Sequence, residues 1–316
     1  MNFLGKRHSF LYPDNSEKVA YNNPLFPAYS QYGILSRYPD YSDISHWHAD
    51  LEFILIKKGK MTYNVNGKLI ELTEGNGIMV NSRQLHYGFS PDRQECEFIC
   101  ILFSPDLLKI NRWFYDNLVE RITENITLPY FQLNRNGWQA DILERLDRLH
   151  QCFGNSSEGR PLDFSCYFQA LEDFLFIMRM LYKNIRLEIP YWQTESSDLI
   201  SLKQMIAFME EHYREHLVLE NIASAGTCCK SRCSLLFKKY LRSTPIAYLT
   251  KFRLRKSLTP LLGTNPNVTD IAFRCGFSSA SYYCEIFRKY CGMSPLSYRK
   301  LYADPIENPI PMNYNI

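Results

Sequence analysis

From about Tyr32 to Phe103 the hydrophobic positions fall in short β-branched and aromatic runs broken by turn residues. Such runs predict strands. Met61-Thr62-Tyr63-Asn64-Val65 followed by Asn66-Gly67 is the strongest hairpin signal, because Asn-Gly suits the positive φ angles of a type I′ turn. Gly75-Asn76-Gly77 marks a second turn before Ile78-Met79-Val80. Several short strands at this spacing predict a sandwich or small barrel. After Ser104-Pro105-Asp106 the period changes to that of a helix: 136–153 and 162–187 place apolar residues at i, i+3, i+4 and i+7, separated by Gly154-Asn155-Ser156-Ser157-Glu158-Gly159. Leu171, Phe174, Leu175, Met178, Leu181 and Tyr182 form a stripe broader than one helix can hide alone. Residues 198–300 read as helical throughout.

The helical part repeats itself. Phe237-Lys238-Lys239-Tyr240-Leu241-Arg242-Ser243-Thr244-Pro245 aligns with Phe287-Arg288-Lys289-Tyr290-Cys291-Gly292-Met293-Ser294-Pro295, and Ile222-Ala223 upstream aligns with Ile271-Ala272. In the second copy a small Ala272 lets two helices cross closely, Gly276 takes the backbone turn, and Ser278 or Ser279 caps the next helix. This order of short helix, tight turn and second helix predicts a helix-turn-helix. In the first copy Thr227 stands where Gly is expected, so the turn either uses Gly226 or accepts a less comfortable conformation. Thr244 and Pro245 open a linking helix through about Leu258, and Pro260 should kink or stop it.

At 316 residues and 37.2 kDa the chain suits two domains, and 46% hydrophobic residues suffice for a core in each. No apolar run approaches the roughly 20 residues that cross a bilayer, and the first residues lack a secretory pattern. The expectation is a cytoplasmic protein without a membrane partner, whose 10 cysteines are free thiols or small buried groups. The net charge of +3 hides an asymmetry: 217–300 carries 14 Lys and Arg against Glu220, Asp270 and Glu285, a balance of +11, leaving −8 elsewhere. Such a lopsided basic region points to a polyanion.

The run Asp270-Ile271-Ala272-Phe273-Arg274-Cys275-Gly276-Phe277-Ser278-Ser279-Ala280-Ser281-Tyr282-Tyr283, with Phe287-Arg288-Lys289-Tyr290, Gly292-Met293-Ser294-Pro295 and Tyr298-Arg299, closely resembles the DNA-binding domain of AraC-type (AraC/XylS) transcription regulators. The resemblance covers about a third of the chain. It implies two helix-turn-helix units that enter successive major-groove segments. By family position, Lys230, Ser231, Ser234 and Leu235 face bases in the first unit, and Ala280, Ser281, Cys284 and Glu285 in the second. Leu235 and Glu285 stand where many relatives carry Arg, so the bases read should differ. Lys238, Lys239, Arg288 and Lys289 are expected on phosphates.

In the β region, His46-Trp47-His48-Ala49-Asp50-Leu51-Glu52 is followed by six residues and then Gly59, and His86 stands eleven positions after Gly75. On a strand His46, His48 and Glu52 would share one face, with Trp47 opposite. Three imidazoles and a carboxylate suit a divalent transition metal. The spacing resembles the cupin signature, whose enzymes bind metal at these positions, although Asn81, Arg83 and Ser90 depart from its second motif. The stretch also resembles the sensor domain of AraC-type regulators, which usually takes a small organic effector. Three readings stay open: an effector pocket lined by His46, His48, Glu52 and His86 with Arg37 and Tyr63 as polar walls, a metal site at the four residues, and structural histidines. Arg83 is expected to pair with Glu52.

The fold expected is α+β in two domains: an N-terminal cupin-like β-barrel followed by helices, then an all-α domain with two helix-turn-helix units joined by a linking helix. The boundaries are an arm at 1–30, the sensor at 31–104, a helical dimerisation region at 105–189, a linker at 190–197, the DNA-binding domain at 198–301 and a tail at 302–316. The function expected is a ligand-responsive activator, not an enzyme, that binds promoter DNA as a homodimer and senses a sugar or related polar metabolite. RNA polymerase would be an indirect partner. No cofactor is required on this reading. The alternative is a metal-dependent cupin enzyme or metal sensor fused to a DNA-binding domain.

Overall fold

The computed structural model describes residues 19, 21, 23, 25–154, 164–185, 196–263 and 267–302. Most of the expected arm and linker, and the tail beyond 302, lie outside them. The described residues divide into two units, one of 19–35 with 46–185 and the other of 36–45 with 196–302.

The first unit is built on strands β1 (Ala28–Ile34), β2 (Leu51–Val65), β3 (Lys68–Thr73), β4 (Gly77–Val80), β5 (His86–Phe89), β6 (Cys96–Phe103) and β7 (Tyr130–Leu133). The sheet runs β1-β6-β2-β4-β7, with β3 and β5 also paired to β2. Every pairing is antiparallel. The long β2 serves two layers: 51–59 pairs with β6 and β4, and 60–65 with β3 and β5. It changes layer at Gly59, where φ is +77° and an added Cβ would meet the Glu95 carbonyl oxygen at 2.3 Å. The Asn66-Gly67 turn has the expected positive φ at both residues, 51° and 85°.

Helical turns α1 (Arg112–Phe114) and α2 (Glu120–Thr123) flank a π-helical stretch, Tyr115–Val119, and are followed by α3 (Trp138–Gly154) and α4 (Ser165–Asn184). The apolar stripe divides. Phe174, Met178 and Leu181 enter the core shared with Phe53, Phe103, Leu146 and Leu149, and Phe174 stacks on Phe103 at 4.5 Å. Leu175 and Tyr182 remain 38% and 40% exposed. The expectation of free cysteines fails at one place. The α3–α4 hairpin brings Cys152 and Cys166 to a Cα separation of 5.9 Å, and they form a disulfide. The other eight cysteines are not disulfide-bonded.

The second unit comprises α5 (Ser197–His212), α6 (Leu219–Ala225), α7 (Lys230–Leu241), α8 (Pro245–Gly263), α9 (Val268–Arg274), α10 (Ala280–Cys291) and α11 (Pro295–Tyr302). Thr244 opens α8, its hydroxyl accepting from Ala247 N at 3.2 Å. Pro260 does not stop that helix, which continues to Gly263. The lost Pro260 hydrogen bond is offset because Leu258 and Leu261, both fully buried, hold the last turn against Ile271, Tyr283 and Phe287. Residues 36–45 belong to this unit: Asp40 pairs with Lys251 at 3.1 Å, Asp43 with Arg255 at 2.9 Å, and Tyr248 donates to the Ser45 carbonyl at 3.2 Å.

Candidate functional site

The two repeats fold alike at the backbone. In the second, Gly276 N donates to Phe273 O and Phe277 N to Ala272 O; in the first, Thr227 N donates to Ser224 O and Cys228 N to Ala223 O, all at 3.0 Å. Ala223 and Ala272, both buried, permit the close helix crossing. The turn sits at φ +82° on Gly276 and at φ +52° on Thr227. The first unit thus takes the less comfortable of the two routes open to it. Gly226 serves a different need: an added Cβ would lie 2.6 Å from Met205 Cγ and 2.9 Å from Ser201 O, so it allows α5 to approach.

The second helices, α7 and α10, present matching faces. Ser231, Leu235, Lys238 and Lys239 are exposed, as are Ser281, Glu285, Arg288 and Lys289 at the aligned positions. Ser234 and Cys284 are half-buried, while Cys233, Leu236 and Phe237 are buried like Tyr283, Ile286 and Phe287. Lys230 is exposed and Ala280 half-buried at the helix starts. Ser281, Cys284, Glu285, Arg288 and Lys289 line one open concavity of about 420 Å³. Two exposed residues on these helices escaped the sequence reading: Arg232, and Tyr282 at 40% exposure. Arg232 and Lys239 both bind Asp198, and Lys230 binds Glu220.

In the sheet-rich unit His46, His48, Glu52 and His86 come together, with one potential ligand atom from each within 4.8 Å of all the others. Strand parity is not what gathers them. Only Glu52 and His86 lie in strands; His46 forms an isolated bridge with His86, through N–H···O=C bonds of 3.1 and 2.9 Å in the two directions. The rings of His46 and His86 lie 4.4 Å apart and those of His48 and His86 5.0 Å. His48, Glu52 and His86 are 2%, 3% and 1% exposed, whereas His46 is half-buried.

The hydrogen bonds orient each group. His48 Nδ1 donates to the Asp50 carbonyl at 3.2 Å and His86 Nδ1 to the Gln84 carbonyl at 2.7 Å. Their Nε2 atoms therefore turn towards Glu52 Oε2, at 3.4 and 3.3 Å. Tyr63 donates its phenol to Glu52 Oε1 and stacks on His86. Burial alone would raise the Glu52 pKa, but His86 and His48 hold it well below the usual carboxylate range. Burial lowers that of His86 against the pull of Glu52. The donor set of three nitrogens and one oxygen fits a divalent transition metal. The orienting carbonyls of Gln84 and Asp50 had no signal in residue type.

Arg37, expected as a polar wall of this pocket, falls in the helical unit. Arg83 pairs with Glu124 at 2.6 Å rather than with Glu52. Its backbone, at φ +61°, is held by an N–H bond to the His48 carbonyl, and its exposed side chain meets a carboxylate at the surface.

Residues 28–171 match the family model of the AraC-like ligand binding domain, and residues 223–301 that of a helix-turn-helix domain. An HTH-type transcriptional regulator of Bacillus subtilis, YdeC, is 31% identical over 81% of this chain and 86% of its own length. The chain belongs to the AraC family of transcription regulators. Within that family, the melibiose operon regulatory protein of Escherichia coli is 24% identical over 88% of this chain and 90% of that protein. The crystal structure of ToxT from Vibrio cholerae aligns over 87% of this chain and 98% of that one, at 14% identity and a TM-score of 0.46. AraC-family regulators are not enzymes, and they bind promoter DNA and small-molecule effectors. Among the described residues no helix is long and apolar enough to cross a membrane.

Proposed function

We propose that this AraC-family chain is a cytoplasmic, effector-responsive activator that reads two adjacent major-groove segments of promoter DNA. The observation that carries the reading is the shared exposure pattern of α7 and α10, which sets the same faces outward in both copies. Lys230, Ser231, Ser234 and Leu235 meet bases in one segment, and Ala280, Ser281, Cys284 and Glu285 in the next. Leu235 offers only apolar contact, suited to a thymine methyl, and Glu285 accepts from cytosine. Lys238, Lys239, Arg288 and Lys289 contact phosphates and supply affinity without sequence choice.

The effector in this reading is a small polar metabolite such as a sugar, entering beside half-buried His46. The kinship with a melibiose operon regulator supports that class. Residues 105–185 carry a homodimer contact through the outer side of α4, where Phe168, Leu175 and Tyr182 are exposed beside a concavity of about 510 Å³ lined by Phe114, Leu118 and Phe176. The effector acts by linkage, favouring the population that contacts DNA productively. RNA polymerase is reached indirectly.

Footprinting of the full chain on its own upstream region tests the reading. Ser281→Ala with Glu285→Ala should relax protection in one segment and leave the other. Equal protection of both segments by that variant would count against α10 as a reading helix.

A further inference from the structure

We propose that Cys152 and Cys166 form a reversible thiol–disulfide site that gives this regulator a redox input separate from its effector. The inference goes beyond the reading above and rests on it for a cytoplasmic setting. There, disulfides are rare, and those that form are mostly transient or redox-sensing. Three observations carry it.

The first is selectivity. The chain has 10 cysteines, and one pair is joined. Burial raises the thiols of Cys96, Cys233, Cys275 and Cys291 above their ordinary pKa, which keeps them protonated and unreactive. Cys152 and Cys166 are half-buried, so an exchanging thiolate can reach the bond between them.

The second is position. The bond joins the last turn of α3 to the first turn of α4. That first turn is a weak point of α4: Phe164 at its start makes no side-chain capping bond, and Phe164 and Phe168 are both exposed. A crosslink there fastens a helix end that local chemistry leaves loose.

The third is what the neighbours of the bond hold. Phe153 and Tyr167, next in sequence to the two cysteines, form an aromatic cluster with Phe26, whose ring lies 6.4 Å from Phe153 and 4.8 Å from Tyr167. Asn23 donates through Nδ2 to the Tyr167 phenol oxygen at 2.8 Å. Tyr21 donates its phenol to Asp50 Oδ1 at 2.9 Å, and the Asp50 carbonyl accepts from His48 of the histidine cluster. The segment ahead of β1 thus runs from the disulfide to the wall of the sensor site. Opening the bond lets the ends of α3 and α4 part, loosens the seat of Phe26 and Asn23, and weakens the hold of that segment beside Asp50.

The opening step needs a small thiol such as glutathione. Its thiolate attacks one sulfur, the bond between Cys152 and Cys166 breaks, and the other sulfur leaves as a thiolate. A second glutathione then cleaves the mixed disulfide. Two glutathiones become one glutathione disulfide, and their two electrons and two protons end on the protein as two thiols.

The test equilibrates the full-length protein in glutathione buffers from oxidised to reduced, without denaturant, then alkylates it and assigns the free thiols by mass spectrometry. Hydrogen exchange of the Leu25 and Phe26 amides, both bonded to Asn23, is followed on the same samples, together with sequence-specific DNA binding. Cys152 and Cys166 should gain the label together, and exchange at the two amides should quicken by about tenfold or more once they do. Phe26→Ala should give the fast exchange with the bond still closed, and Cys152→Ser with Cys166→Ser should give it in every buffer. Retention of the bond in fully reduced glutathione would make it a structural crosslink and overturn the proposal. So would equal exchange in the two states of the wild-type protein. Absence of sequence-specific DNA binding in both states would sink the regulator reading and leave the thiol site to be decided by the label and the exchange.

Discussion

The two helix-turn-helix copies reach one backbone shape by different local means. The second copy is built from residues that favour each conformation: Asn267 caps α9, Ser279 caps α10, and glycines occupy both left-handed positions, Gly276 and Gly292. At the matching left-handed positions the first copy has Thr227 at φ +52° and Arg242 at φ +51°, and Cys229 at the start of α7 makes no side-chain capping bond. A non-glycine residue in that region costs about 1 kcal/mol or more. The first copy must recover this by packing, and α5 lies close enough to require Gly226. Buried positions set the fold in both copies, and local propensity is expendable where a neighbouring helix compensates.

The strongest test of this contrast is Gly276→Ala. Its Cβ would meet the Tyr213 carbonyl at 2.3 Å on a backbone at φ +82°, and we expect a loss of about 3 kcal/mol or more in urea unfolding of the full chain. A loss below about 1 kcal/mol would mean that the turn is not held as described.

Next in size is a difference between the proposed phosphate contacts. Lys239 is engaged by Asp198, whereas Arg288 and Lys289 have no carboxylate partner among the described residues. Lys289→Ala should weaken binding to all DNA sequences alike and reduce the slope of log affinity against log salt by about 1. Lys239→Ala should do less, because that lysine must first leave Asp198. Anisotropy titrations at several salt concentrations would show the order, and a larger effect at Lys239 would reverse it.

Smaller effects should come from moving the second copy's solutions into the first. Cys229→Ser adds an N-cap worth about 1 kcal/mol, visible as a raised Tm. Thr227→Gly relieves the left-handed strain but adds unfolded-chain entropy, for a net gain of about 0.5 kcal/mol. If Thr227→Gly destabilises instead, contacts of the threonine side chain outweigh its strain.

Much of this was readable beforehand, for physical reasons that differ by region. The repeat and its turns were legible because Ala, Gly and Ser at fixed offsets report backbone geometry directly, as did Asn66-Gly67 for its hairpin. The histidine cluster was legible as a set of residue types, but not as a mechanism of assembly. Alternation predicted a shared strand face, whereas the bridge between His46 and His86, far apart in the chain, brings the rings together. Arg83 misled because charge alone says nothing of direction: it meets Glu124 at the surface. The Cys152–Cys166 bond depended on a helical hairpin whose close approach no spacing rule announces.

The unbroken run of α8 through Pro260 has a consequence for the operator. Its 19 residues make a rod of about 28 Å, a little short of the roughly 34 Å turn of B-form DNA. On the reading proposed above, two DNA-reading units joined by one continuous helix would share a fixed phase. Half a turn of DNA inserted between their targets would swing one target to the far side of the duplex while leaving every base of both intact. Distance along the promoter is then part of the message, and a functional site should be found by its rhythm as well as by its letters.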